Sequence, residues 1–192
     1  MKTVFVDVDT QIDFLFPAGA LYVRGSERLV PAIARLNRYA ASKGFALIST
    51  TDAHSENDPE FKAWPPHCVA GTRGQQKPDE TLLDRRTALP FTPGAEIELA
   101  DQVVVEKQVL DVFSNPNFEA LLDRLGADNY VVYGVATDYC VRCAITGLLA
   151  AGKRVTLVTD VIAAVSPEDG ARAVAEFTAK GGQLATVDEV TR

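Results

Sequence analysis

Side chains able to make and break bonds recur where short apolar runs of this chain end. Asp9 and Asp13 follow T-V-F-V-D-V at 3–8, Asp52 and His54 follow A-L-I-S-T at 46–50, Lys107 closes V-V-V-E-K at 103–107, and Cys140 follows Y-V-V-Y-G-V at 130–135. A cysteine is a strong nucleophile once deprotonated, and a nearby cation or a helix N-terminus favours the thiolate. An aspartate within reach can take the thiol proton and return it to a leaving amine, and Asp9 is the candidate. Lys107 would hold that aspartate and favour ionised sulfur by its charge. Taken one at a time these residues read more blandly: a cysteine after an apolar strand usually packs as a small hydrophobe, and a strand-end lysine is usually solvated. Their shared position links them.

A second group suggests a metal. The chain has only two histidines, His54 and His67, and both fall in one polar segment with Asp52 and Glu60. Imidazole with carboxylate suits zinc, iron(II) or manganese rather than calcium. Cys68 beside His67 is a weaker candidate, because neighbours in an extended segment point opposite ways. At the start of the segment after Val135, Thr137 reads as a helix N-cap, which places Cys140 in the first turn over unpaired amides. Backbone N–H groups there, at Ala136 and Cys140, could serve as an oxyanion hole for amide hydrolysis.

The elements that must position these residues alternate. β-Branched runs at 3–8, 46–50, 103–107, 130–135, 155–160 and 184–187 read as six buried strands. Between them Glu27–Lys43, Asn117–Leu125, Asp138–Ala151 and Pro167–Lys180 carry apolar residues at helical spacing, with Gly44, Gly126, Gly152 and Gly181 at their ends. The pattern predicts one α/β domain over residues 1–192, in three layers, with a mainly parallel six-stranded sheet and helices on both faces. Ligands of such sheets bind outside the carboxyl ends of the strands, where the chemistry-bearing residues lie. Residues 52–101 break the alternation and read as a long functional loop over that edge.

At 192 residues and 47% hydrophobic, the chain suits one core. A net charge of −7 argues against a nucleic-acid partner. No stretch approaches the roughly 18 apolar residues of a membrane span, and the N-terminus lacks a secretory pattern, so the expectation is a cytoplasmic protein acting on a small molecule. Three cysteines are too few and odd in number for a disulfide framework.

Four motifs in order carry a family resemblance: D-x-Q-x-D-F at Asp9–Phe14, D-x-H at Asp52–His54, W-P-P-H-C at Trp64–Cys68 and G-V-A-T-D-Y-C-V at Gly134–Val141. Over nearly its whole length the sequence resembles the nicotinamidases of the isochorismatase-like cysteine hydrolase family. The resemblance implies an Asp9–Lys107–Cys140 triad, metal ligands Asp52, His54, Glu60 and His67, ring-pocket walls at Phe14 and Trp64, and a cis peptide between Val135 and Ala136. It implies conversion of nicotinamide and water to nicotinate and ammonia, with a divalent ion, zinc before iron or manganese, holding the pyridine nitrogen. Homo-oligomers are common for such folds, although nothing in the sequence names an interface. Asp111 departs from the pattern, standing where a small hydroxyl residue is common. Isochorismatases proper lack the cysteine, so Cys140 argues against vinyl-ether hydrolysis. Two rivals stand beside this reading: a metal-independent amidase for another small carboxamide or ureido compound, and a metal-binding thiol sensor using Cys140 and Cys143.

Overall fold

The computed structural model describes residues 2–192. In chain order the elements are β1 (Thr3–Val8), α1 (Ile12–Leu15), α2 (Val30–Ser42), β2 (Ala46–Asp52), β3 (Arg86–Leu89), β4 (Gln102–Lys107), α3 (Phe118–Leu125), β5 (Asn129–Val135), a π turn (Thr137–Val141), α4 (Arg142–Ala150), β6 (Arg154–Ala163), α5 (Pro167–Ala179), β7 (Gln183–Ala185) and α6 (Val187–Val190). All strand pairs are parallel, in the order β3-β4-β2-β1-β5-β6-β7. The sheet therefore has seven strands where the sequence predicts six. The extra strand, R-T-A-L, lies at the edge with its arginine exposed, a short charged segment that gives no periodic apolar signal. Among the described residues no helix is long and apolar enough to cross a membrane.

The two-residue side-chain period sorts the strands onto two cores. Val4, Val6 and Val8 join Ile48, Val103, Val105 and Val132 in one cluster, completed by Leu121, Ala144, Leu148 and Phe177 from α3, α4 and α5. Phe5 joins Leu47, Val131 and Tyr133 in the other, under Ile33 and Leu36 of α2. Burial on both faces explains why β1 reads as a continuous apolar run.

Two boundaries move from expectation for identifiable reasons. The last strand stops at Ala185, because Thr186 and Glu189 form a reciprocal capping box that starts α6 instead. The helix predicted from Glu27 begins as a 3₁₀ turn at Ser26–Leu29 and becomes α2 at Val30, with Pro31 in its first turn.

The segment between β2 and β4 is more structured than a loop. Besides β3 it contains 3₁₀ turns at Pro59–Lys62 and Asp79–Thr81. Its middle is fastened by a buried polar network on the second face: Lys77 Nζ lies 3.3 Å from Asp7 Oδ2 and 3.0 Å from Thr10 Oγ1, and Ser49 Oγ donates to Asp7 Oδ2 at 3.0 Å. Gly74 allows Asp13 to approach this segment, since a Cβ there would lie 2.1 Å from the Asp13 carboxylate.

Candidate active site

β1, β2, β4 and β5 are consecutive neighbours in the sheet, and their carboxyl ends deliver four reactive side chains to one place. Val103, Val105 and Lys107 alternate onto one face of β4, the face on which Cys140 and Val141 pack. Asp52 is the cross-strand partner of Lys107, so their side chains meet on that face. Asp9 ends β1 with φ +48°, a left-handed turn uncommon for a non-glycine residue. Its Oδ1 accepts from Thr50 Oγ1 at 2.6 Å. Gly134 makes room beneath this turn, because a Cβ there would lie 2.1 Å from the Val8 carbonyl oxygen.

Lys107, fully buried, sits at the centre. Its Nζ lies 2.9 Å from Asp9 Oδ2 and 3.6 Å from Cys140 Sγ, and it also pairs with Asp52 Oδ1. Burial opposes its charge, yet Asp52 and Asp9, then Cys140, outweigh that cost and hold its pKa well above the ordinary lysine value. Burial raises the Asp52 carboxyl to about 6 against the attraction of Lys107, with Asp9 adding to the rise. Cys140 is pushed well above the usual thiol range by burial first; Lys107 opposes this, and Asp9 and Asp52 reinforce it. Burial and the two aspartates thus favour the protonated thiol while Lys107 favours the thiolate, and a carboxylate oxygen of Asp9 lies within 4.8 Å of the sulfur.

The turn carrying Cys140 differs from a plain helix start. Ala136, not Thr137, holds the N-cap position, and Thr137 is buried inside the π turn. The Ala136 carbonyl accepts from the Tyr139 and Val141 amides, each at 3.1 Å, so the wide turn passes over the Cys140 amide between them. The Val135–Ala136 peptide is cis, as the resemblance implies. Asp138 accepts from the Val165 and Ser166 amides at 3.0 and 2.8 Å, tying this turn to the start of α5.

Cys140 faces a cleft lined by Phe14, Asp52, Glu60, Trp64, His67, Ala136 and Tyr139, with Leu110 and Val165 also contributing. Phe14 and Trp64 are therefore in one cavity with the thiol. Trp64 meets Tyr139 edge-on with centroids 5.4 Å apart.

Ligand atoms of Asp52, His54 and His67 lie within 4.8 Å of one another. His67 Nδ1 is 2.8 Å from the Pro65 carbonyl, which can only accept, so Nδ1 carries the proton and Nε2 keeps its lone pair. Burial lowers the His67 pKa, favouring the neutral ring. His54 is fully buried, and neither ring nitrogen has an aligned hydrogen-bond partner among the described residues. Its Nδ1 is nevertheless 3.1 Å from Asp58 Oδ2, and its Nε2 3.9 Å from Asp52 Oδ2. Two imidazoles beside a carboxylate, one with unsatisfied buried nitrogens, fit a divalent metal of the zinc, iron or manganese kind. Glu60 lines the same cleft but groups with His54 and Asp58 rather than with Asp52 and His67. A third acidic grouping, Asp9, Asp52 and Cys140, already surrounds the Lys107 ammonium.

Several residues act by positioning others, and of these Asp58 carries no sequence signal whereas Gln11 and Asp13 stand in the D-x-Q-x-D-F motif. Asp58 reads as part of a polar turn, yet it accepts from Glu60 N at 2.9 Å and faces His54. Gln11 clasps Asp52, accepting from its amide at 2.7 Å and donating to its carbonyl at 2.9 Å. Asp13 accepts from Cys68 N at 2.7 Å and Ala20 N at 2.9 Å, so its carboxylate fixes the loop that carries His67. Cys68 itself is buried in the second core and joins no metal grouping. Asp111 accepts from Phe113 N at 3.0 Å, capping a short 3₁₀ turn rather than lining the Cys140 cleft.

The isochorismatase domain model matches residues 3–189. An Escherichia coli nicotinamidase is 29% identical, covering 94% of this chain and 92% of its own length. The crystal structure of a Pyrococcus horikoshii pyrazinamidase in complex with zinc superposes with a TM-score of 0.81 at 28% identity, over 97% of this chain and 99% of that one. A structure from L. infantum in complex with nicotinate gives 0.81 at 27% identity, over 97% and 93%. With four parallel strands gathering a cysteine, a lysine and two aspartates beside one cleft, the chain belongs to the isochorismatase domain family, among its nicotinamidase-type amide hydrolases.

Proposed function

We propose that the protein hydrolyses nicotinamide to nicotinate and ammonia, with Cys140 as nucleophile. The observation that carries this reading is Cys140 Sγ at the wall of an aromatic cleft, 3.6 Å from Lys107 Nζ and within reach of Asp9. The relatives described as a nicotinamidase and as a nicotinate complex support the substrate class.

Asp9 accepts the thiol proton of Cys140 as the sulfur attacks the carboxamide carbon. Lys107 keeps Asp9 in place and offsets the negative charge that the thiolate develops. Amides of Ala136 and Cys140 donate to the tetrahedral oxyanion. Asp9 then protonates the nitrogen, ammonia leaves, and a thioester remains on Cys140. Asp9 next takes a proton from water, whose oxygen attacks the thioester carbon; nicotinate departs and the sulfur regains its proton. Phe14 and Trp64 flank the pyridine ring and exclude water from its faces.

Asp52, His54 and His67, with Glu60 on the rim, would hold a divalent metal, zinc first. When bound, such an ion offers an electrophile to the ring nitrogen and so turns the carboxamide towards Cys140. A metal-independent carboxamide or ureido hydrolase would leave His54 and His67 idle, and a thiol sensor would leave Asp9 and Lys107 without work.

Ammonia release from nicotinamide tests the reading. Cys140→Ala is expected to abolish it while leaving the unfolding temperature and metal content unchanged. Substantial residual turnover by that variant would overturn the assignment, and absence of wild-type turnover after metal supplementation would overturn the substrate.

A further inference from the structure

The residue three positions beyond the nucleophile is also a cysteine, and Cys140-Val141-Arg142-Cys143 is a C-x-x-C run at the start of a helix. That pattern, beside a β-α-β unit, is the arrangement of thiol–disulfide chemistry. The backbone between the two residues is regular: Val141 has φ −62° and ψ −46°, Arg142 has φ −56° and ψ −45°. Those dihedrals set the separation of the flanking Cα atoms at about 5 Å, inside the span of roughly 4.4–6.8 Å that disulfides occupy.

Their surroundings differ in a useful way. Cys140 opens into the substrate cleft. Cys143 is half-buried and opens into the adjoining depression with Asp111 and Arg142, and Tyr139 and Leu110 line both. The sequence suggests that Cys143 packs inward, whereas the structure leaves it reachable. The third cysteine, Cys68, is fully buried in the opposite core.

We infer that Cys143 is a resolving thiol for Cys140: a small hydroperoxide oxidises Cys140 to a sulfenic acid, and Cys143 captures it as an intrachain Cys140–Cys143 disulfide. In the first step the peroxide O–O bond breaks, one oxygen bonds to the Cys140 sulfur, and the peroxide is reduced to water or an alcohol. In the second, the Cys143 sulfur attacks the sulfenic sulfur, the S–O bond breaks, and the departing hydroxide leaves as water with the Cys143 proton. Two thiols lose two electrons and the peroxide gains them. The disulfide stops amide turnover and shields Cys140 from irreversible sulfinic oxidation until a dithiol reduces it. Only the activity readout rests on Cys140 as the amidase nucleophile; the covalent mapping does not.

The experiment treats the full chain with hydrogen peroxide, blocks free thiols, and digests with trypsin without reduction. Trypsin cleaves after Arg142, between the two cysteines. The expected product is the peptide ending at Arg142 joined to the one beginning at Cys143, or their uncut form lacking two hydrogens, from a chain that runs as a monomer on a non-reducing denaturing gel. Dithiothreitol is expected to restore most activity to oxidised wild type and little to oxidised Cys143→Ser, whose turnover before oxidation matches wild type. Sulfinic Cys140 beside an alkylated Cys143, a disulfide between chains, or equal recovery by Cys143→Ser overturns the inference. If Cys143→Ser misfolds, Cys143→Ala serves for the recovery arm, and the wild-type map stands on its own. Absence of nicotinamide turnover in the untreated, metal-supplemented protein, with the linked peptide still forming on oxidation, would fail the proposed function and leave this inference standing.

Discussion

Asp9 and Asp52 share one ammonium, yet their surroundings divide their work. Asp9 reaches the thiol and holds Thr50, whereas Asp52 turns its other oxygen towards His54. Asp9→Asn keeps the shape and removes the proton acceptor, so ammonia release is expected to fall by at least about 10²–10⁴-fold with the fold intact, read by steady-state kinetics beside thermal unfolding. Asp13 cannot take over, since both its oxygens are committed to backbone amides. Asp58 acts one step further out. It faces His54 Nδ1, and a carboxylate there orients the ring. Asp58→Asn retains an oxygen for the Glu60 amide but loses the carboxylate, and is expected to weaken zinc binding about 10–100-fold in chelator competition. Unchanged zinc affinity would mean that His54 is oriented by packing against Phe61 and His67 alone.

Among the elements, the segment from β2 to β4 shows how a polar stretch is made rigid. Lys77 and Asp7 form an ion pair buried on both sides, and removing one partner strands the other charge. Lys77→Ala is therefore expected to cost about 3–5 kcal/mol, read as a lowered denaturation midpoint in urea. A change within the range of surface mutations would show that Ser49 and Thr10 suffice for Asp7. This pair is invisible in the sequence because its members are seventy positions apart, one inside the apolar run of β1 and the other in a polar segment, and nothing local marks them as partners. The strand-end residues Asp9, Asp52, Lys107 and Cys140 are legible for the opposite reason: buried parallel strands announce themselves as β-branched runs, and the carboxyl end of each run lies at the ligand-binding edge. β3 escapes notice because four residues with exposed positions carry no usable period. The π turn does so because Thr137 looks like a cap, although the chain turns one residue earlier at Ala136. The histidines point to a metal by composition alone, whereas Asp58 needs three-dimensional proximity.

At the scale of the molecule, the candidate metal ligands stand apart from the central strands that carry the two cores: Asp52 closes β2, and His54, Glu60 and His67 lie in the segment after it. Chelation is accordingly expected to leave the unfolding temperature nearly unchanged while removing nicotinamide binding, measured by calorimetry on stripped and reloaded protein. A collapse of stability on stripping would make the ion a folding element instead. The order β4-β2-β1-β5 has one more consequence, for the kinetics of self-assembly. Asp9 meets Thr50 across 41 positions, Asp52 meets Lys107 across 55, and Lys107 meets Cys140 across 33. Every contact of the reactive cluster is non-local, so each must await closure of a long loop, the slow kind of event in folding. A nascent chain is therefore expected to assemble this cluster only once β1, β2, β4 and β5 have all been made and paired.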